Sequence, residues 1–139
     1  MDTRIFDIAG SAMRAQSVRL NTTASNLANA DSVAASPETA YRSRHPVFAA
    51  ALETARIGPR DRSLVGVATR GIVENDRPAE RRHMPEHPLA DESGHVYASN
   101  VDTIEEMTNM MSASRSYQSN VELLNTARRL MLETLRLGE

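Results

Sequence analysis

The sequence predicts a mainly α fold: long N- and C-terminal helices paired as a coiled coil, with a small β-hairpin and loop insert between them. Three observations predict it. Apolar residues recur at alternating 3 and 4 spacing from Phe6 and again from Ile104, the seam pattern of paired helices. All six prolines lie between positions 37 and 88, where they break helices. The chain has only two Phe, three Tyr and no Trp, so its apolar surface comes from Ala, Leu, Ile, Val and Met. That mixture suits helix seams better than a thick centre, and at 139 residues one domain of this make-up is expected to be stabilised by association.

The first helix is expected over about Thr3 to Ala30. Phe6, Ala9, Met13, Gln16, Leu20, Thr23, Leu27 and Ala30 form its seam, and Ile5, Ile8, Ala12 and Ala15 widen the stripe. Asp2 or Thr3 can cap its start. At 1.5 Å per residue it spans about 40 Å. Gly10 costs roughly 1 kcal/mol inside a helix, and beside Ala9 and Ala12 it permits a close helical neighbour.

The middle differs in kind. Residues 31–40, with Pro37, read as a loop. Tyr41 to Phe48 reads as a short strand that Pro46 confines to an edge, and Ala49 to Arg56 either continues it or turns helical. Leu64 to Val67 and Ile72-Val73 are short β-like runs around Gly71. Residues 76–95, with Pro78, Pro85, Pro88 and Gly94, are expected to hold little regular structure. His95 to Ala98 adds a last short strand.

The final helix carries Ile104, Met107, Met111, Ser114, Tyr117, Val121, Leu124, Arg128, Met131 and Leu135, with one 3-3 step that resembles a stammer. A second apolar line, Leu123, Ala127, Leu130, Thr134 and Leu137, runs beside the first. One partner helix covers only a narrow seam, so two lines imply more than one neighbour. Asp102 with Glu105 has capping-box spacing, Asn100 is an equally good cap, and Gly138 can terminate the helix. The domain division is therefore 1–34 for the first helix, 35–99 for the insert and 100–139 for the last helix.

Little in the chain supports chemistry. Formal charge is −2 and every basic residue is Arg; without a clustered basic face, no nucleic-acid partner is expected. With no Cys, disulfides and thiolate metal sites are excluded. No run approaches the ~18 apolar residues that would span a membrane, so no direct membrane insertion is expected, and the N-terminus does not read as a cleaved signal peptide. His83 and His87 have helical zinc-ligand spacing, but Pro85 and Pro88 deny them the helix that would give that spacing meaning. His45 and His95 lie in unrelated segments. Asp91 and Glu92 are neighbours on a turn, not opposed carboxylates across a cleft, and no P-loop, G-x-S-x-G or GxGxxG occurs. Catalytic, cofactor and metal residues are accordingly expected to be none, and no enzyme is expected. Met107, Met110 and Met111 read as adaptable packing, with promiscuous peptide binding as the alternative. Asn21, Asn26, Asn29, Asn109, Asn120 and Asn125 are either exposed positions or cross-helix bonds between subunits.

Two stretches carry a resemblance. The first helix holds Ala15-Gln16, Arg19-Leu20-Asn21 and Thr23-Ala24-Ser25-Asn26-Leu27-Ala28-Asn29-Ala30-Asp31-Ser32. The last holds Asn100-Val101-Asp102, Glu105-Glu106-Met107, Ser112 to Gln118 and Asn120-Val121-Glu122-Leu123-Leu124-Asn125-Thr126. Together they resemble the flagellar axial proteins. Tyr41-Arg42, Pro85 to Asp91 and Gly94-His95-Val96 are most similar to the proximal rod branch of that family. The resemblance implies a structural subunit of the basal-body rod, a drive shaft crossing the periplasm, polymerising through its terminal helices around a central channel. It implies export by the flagellar type III apparatus without a cleaved signal, and it implies neighbouring rod subunits and copies of itself as partners. This replaces the cytosolic location that the general signals suggest. The expected assembly interface is Leu20, Asn21, Ser25, Asn26, Leu27 and Asn29 on the first helix. On the last it is Met107, Met111, Tyr117, Gln118, Asn120, Val121, Leu124, Asn125, Met131 and Leu135. Another rod or hook subunit, or a cytosolic helical adaptor using its Met-rich groove, are the competing readings.

Overall fold

A computed structural model describes the backbone of residues 4–55 and 62–137, and the side chains of all of these except 52–55, 62–65 and 137. The expected caps Asp2 and Thr3, and the terminator Gly138, lie outside the described residues. Helix α1 (Arg4–Ala28) is followed by strands β1 (Val33–Ala34), β2 (Arg44–Ala55), β3 (Arg62–Glu74), β4 (Glu80–His83) and β5 (His95–Ala98), and then by helix α2 (Thr103–Leu137). The two terminal helices and a β insert between them are present. The insert is more ordered than its prolines and glycines suggest, so "mainly α" gives way to an α and β mixture. The two runs around Gly71 form one 13-residue strand. Residues 49–55 continue the 12-residue β2 instead of turning helical. Within the expected loops lie β1 and β4.

The strands form two separate sheets. In the first, β5 is central between β1 and β4, antiparallel to both. Its side chains alternate, with Val96 and Ala98 buried and His95 and Tyr97 half-buried, as a strand with one covered face requires. In the second, β2 and β3 make a long antiparallel hairpin from Arg44↔Glu74 to Ala55↔Arg62. Its register slips where Val47 faces Gly71 but Phe48 faces Thr69, leaving Arg70 as the extra residue of a bulge. Gly71 sits at that bulge, where a missing side chain is least costly, and Pro46 lies in a strand with a free edge, as expected.

Because β1 follows α1 and pairs with β5, and β5 leads into α2, the end of α1 lies beside the start of α2 and the helices run antiparallel. Arg19 of α1 reaches Asn109 of α2, Nη2 donating to Oδ1 at 2.8 Å. Helix α1 packs against α2 and also against β2 and β3. It is covered on two sides, and its buried positions are all short: Ala9, Ser11, Ala15, Thr22, Thr23 and Asn26.

Three polar side chains join the parts. The buried Asn26 donates Nδ2–H to the Arg44 carbonyl at 2.8 Å, and its Oδ1 accepts from the Arg44 N–H at 2.9 Å. Its amide thus pairs with a backbone as a neighbouring strand would. Oδ1 also accepts from the Tyr41 hydroxyl at 3.1 Å. Asn100 acts similarly before α2. Its Oδ1 accepts from Ser43 N–H at 2.7 Å, and its Nδ2 donates to the carbonyls of Asn75 (3.1 Å) and Arg77 (2.7 Å). Asp102 is the cap, accepting from the N–H groups of Ile104 and Glu105 at 3.0 and 3.1 Å. Third, Ser11 Oγ donates to the Ile8 carbonyl at 2.8 Å and accepts from Val67 N–H at 3.1 Å, tying β3 to α1. Gly66 permits that approach: a Cβ there would lie 3.1 Å from Ser11 Oγ and 3.5 Å from its Cβ.

Asn26→Ala leaves both backbone groups of Arg44 without their partner, at about 1–3 kcal/mol for each group left unpaired. The exposed Asn21→Ala should stay within about 0.5 kcal/mol of wild type. Urea denaturation of the two variants checks the contrast; equal midpoints would refute the internal role of Asn26. Gly66→Ala pushes a methyl against a serine held from both sides, and a loss of about 1–3 kcal/mol is expected for such overpacking, read from the same denaturation curves.

Candidate assembly interface

The described chain buries little of its apolar surface. Its largest fully buried side chains are Val96 and Asn26, and the other buried apolar residues are the alanines 9, 15, 40, 98 and 113. Larger apolar groups remain outside; among the described residues half of them lie on α2, and these include the most exposed. Ile104 is 79% exposed, Met107 54%, Met111 63%, Leu130 57% and Leu135 64%.

The helical period explains which face they occupy. On α2 the buried residues are Glu106 and Ala113, seven apart and therefore on one side, the side toward α1. At about 100° per residue, Ile104, Met107 and Met111 lie about 120–180° away from Ala113. The expected internal seam is thus displaced in its first half. Residues 104, 107 and 111 face outward, and the internal contact instead uses Glu106, the half-buried Asn109 and Met110, and Ala113. The physical reason is size: α1 buries only short side chains, and the apolar residue that α2 buries fully is Ala113, while Met110 beside it is half-buried. Further along, Val121, Leu124 and Met131 are half-buried, so the two halves of the expected seam have different fates.

The remaining expected positions scatter likewise. On α1, Leu20 and Leu27 are half-buried, Asn21 and Ser25 exposed, and Asn29 half-buried with Nδ2 donating to the Ser25 carbonyl. Asn26 is enclosed within the chain at 0% exposure, so its amide serves an internal bond and not a surface. On α2, Tyr117 is 37% exposed, Gln118 and Asn125 are exposed, and Asn120 donates to the Ser116 carbonyl of its own helix. Ile104 belongs with Met107 and Met111; its place at the head of the same 3-4 run was the signal for it. Leu132, 50% exposed, lies on neither apolar line.

Ion pairs flank the start of this surface and the hairpin. Arg77 lies 3.9 Å from Glu105, and Arg44 lies 3.2 Å from Glu74. Glu106 is unusual, a carboxylate 2% exposed with Oε1 3.9 Å from His45 Nδ1, beyond hydrogen-bonding reach.

The four histidines do not gather at one point, although His83 and His95 face each other across β4 and β5. His83 ends β4 and lies with its ring centroid 4.9 Å from that of His95, while His87 Nδ1 accepts from Leu89 N–H at 3.1 Å. Among the described residues no group of three or more His, Cys, Asp or Glu is placed to hold a metal ion, and no helix is long and apolar enough to cross a membrane.

Asp91 organises the β4–β5 connection. Its Oδ1 accepts from the Ser93 hydroxyl (2.7 Å) and from the N–H groups of Ser93 and His95 (both 2.9 Å). Gly94, at φ 75°, takes the left-handed conformation the turn needs. The Ser93 hydroxyl, followed by the His95 N–H, holds the Asp91 carboxyl down at about 2, against an ordinary 3.8. A carboxyl depressed on folding stabilises the native turn above its ordinary value, and this is lost as pH falls through about 2. Amide exchange at Ser93 and His95 should therefore accelerate over that interval, and Asp91→Asn should flatten the response. An unchanged pH response in the variant would exclude Asp91 as its source.

The terminal segments that make up this surface match known families. Residues 6–34 match the family described as flagella basal body rod protein, and residues 92–137 match the flagellar basal body rod FlgEFG protein C-terminal family. Across the whole chain, the flagellar basal-body rod protein FlgC of Salmonella typhimurium is 47% identical over 135 residues, covering 97% of this chain and 96% of that protein. The FlgC of Escherichia coli O6:H1 is 50% identical over 136 residues with the same coverage, and that of Yersinia enterocolitica is 48% identical over 135 residues. The chain with the exposed α2 stripe belongs to the flagellar basal-body rod protein FlgC family.

Proposed function

We propose that this chain is a structural subunit of the proximal rod of the bacterial flagellum, polymerising through its terminal helices to transmit torque and line the export channel. The single observation that carries the reading is the outward apolar stripe of α2, Ile104, Met107 and Met111, exposed by 79%, 54% and 63%. Exposed apolar surface concentrated on one face marks an interaction site. A chain whose internal core is mostly alanine gains more from covering that face than from anything it buries alone. Residues 1–34 and 100–139 serve as the assembling stem, its helices paired as a coiled coil, and residues 35–99 as an insert that sets spacing to neighbours.

In this reading the chain performs no catalysis and needs no cofactor. Its partners are other rod subunits, copies of itself and the flagellar type III export apparatus, which delivers it to the periplasmic rod without a cleaved signal. The interface comprises Leu20, Asn21, Ser25, Leu27 and Asn29 of α1, with Met107, Met111, Tyr117, Gln118, Asn120, Val121, Leu124, Asn125, Met131 and Leu135 of α2. The family relationship supports it, and so does the matching of both terminal segments to rod families. A cytosolic adaptor would instead form a discrete oligomer on its own, whereas a rod subunit stays monomeric until it meets its assembly.

Met107→Asp and Met111→Asp place charge on the exposed face of α2, away from the buried Glu106 and Ala113. Both should keep the wild-type circular dichroism and stay within about 0.5 kcal/mol in stability, while cells carrying either lose swimming. Normal swimming by both, at wild-type expression, would overturn the reading.

A further inference from the structure

Glycine inside a helix costs about 1 kcal/mol relative to alanine, and the described residues make no use of the room it leaves at position 10. Apart from its own helix backbone, among the described residues only the Arg14 guanidinium, at 3.7 Å, would meet a Cβ on Gly10. The contrast with Gly66 is direct, since a Cβ there would press on Ser11. Gly10 opens instead onto a groove of about 290 Å³ between the first half of α1 and the hairpin. Phe6, Ile8, Ala51 and Val67 supply apolar walls, with Ile8 43% and Val67 37% exposed. Asp7 and Arg14 place one charge of each sign on its lining.

A group of fitting chemistry lies on the same chain but cannot reach the groove. With Arg19 level with Asn109, Arg4 comes level with about residue 124 of the antiparallel α2. The end of α2 therefore runs on for roughly 20 Å past the described part of α1, and from Leu132 to Arg136 every residue is exposed. Leucines point out on several sides of it: Leu130 is 57%, Leu132 50% and Leu135 64% exposed. Glu133 stands about one turn from Arg129 and from Arg136, so this segment offers both signs to Asp7 and Arg14. A straight helix leading away from the groove cannot fold back into it.

We propose that the groove over Gly10 receives the C-terminal end of α2 from a second copy of the chain, with an exposed leucine of residues 130–135 seated against the glycine. The proposal rests on the rod reading and names one contact within it. Donor and acceptor surfaces differ, so the contact is heterologous and propagates along an open assembly.

The test is a photo-reactive amino acid at Val67, on the groove wall, in full-length chain assembled into basal bodies in cells. Irradiation should yield a product of twice the chain's mass, with the cross-linked peptide mapping to residues 128–137. No product, a product of another mass, or a peptide from elsewhere in the chain would each overturn the proposal. Gly10→Leu gives a second measurement that leaves Val67 intact. It fills open space, so the melting temperature should not fall, yet swimming should be lost. If Gly10→Leu swims while Met111→Asp does not, the groove contact fails and the rod reading stands. If Met107→Asp and Met111→Asp swim as well, the rod reading fails with it.

Discussion

The pairing of one buried amide with both backbone groups of Arg44 is the constraint on which the rest of this structure depends. Asn26 lies two residues before the end of α1, where the chain leaves the helix for the insert. By satisfying the Arg44 N–H and carbonyl at 2.9 and 2.8 Å, it fixes where β2 starts relative to the helix. The start of β2 then fixes the hairpin, because Ser43 and Arg44 also face Asn75 and Glu74 at its far end. Asn100 repeats the device from the other side, holding Ser43, Asn75 and Arg77 beside the entry to α2. A low local dielectric makes such bonds strong and their loss costly, so two asparagines take a role that larger proteins give to a hydrophobic centre.

That substitution has a consequence for the surface. A helix covered by alanine, serine and threonine comes close to its neighbours but removes little apolar area from water, and stabilisation scales with that area. The most exposed leucines and methionines lie on α2, facing away from α1 or projecting beyond it. Short side chains inside and long ones outside is the reverse of what an isolated small domain requires. It is the arrangement expected of a subunit that reaches full burial only among its neighbours, and membership of the FlgC family agrees with it.

Electrostatics refine this picture without driving it. Most of the ion pairs are exposed, such as Arg44 with Glu74 and Arg82 with Glu80, and exposed pairs contribute little. The carboxylates that matter are structural. Asp102 caps α2, and Asp91 gathers three hydrogen bonds on its Oδ1 at the turn after Pro88. Asp91 and Glu92 read in the sequence as neighbours on a turn and not as an acid–base pair, and the geometry gives Asp91 an architectural task.

The sequence by itself determined the two terminal helices, to within about two residues at the described ends, because period and capping are local properties. It also determined the strand at His95–Ala98, the edge position of Pro46 and the family, whose motifs lie at the two ends. It did not determine that Leu64–Val67 and Ile72–Val73 are one strand, since a bulge at Arg70 breaks the period-2 pattern that would have joined them. Nor could it decide which face of α2 turns inward. The 3-4 run through Ile104, Met107 and Met111 is a valid seam, but a seam states only that a face will be covered, not by which chain. Only the tertiary structure settled that, because α1 lies between α2 and the hairpin and the positions it buries are all short. The same holds for Asn26: the motif marked it, and the fold turned it inward to the Arg44 backbone, since only there does a helix side chain meet the unpaired end of a strand.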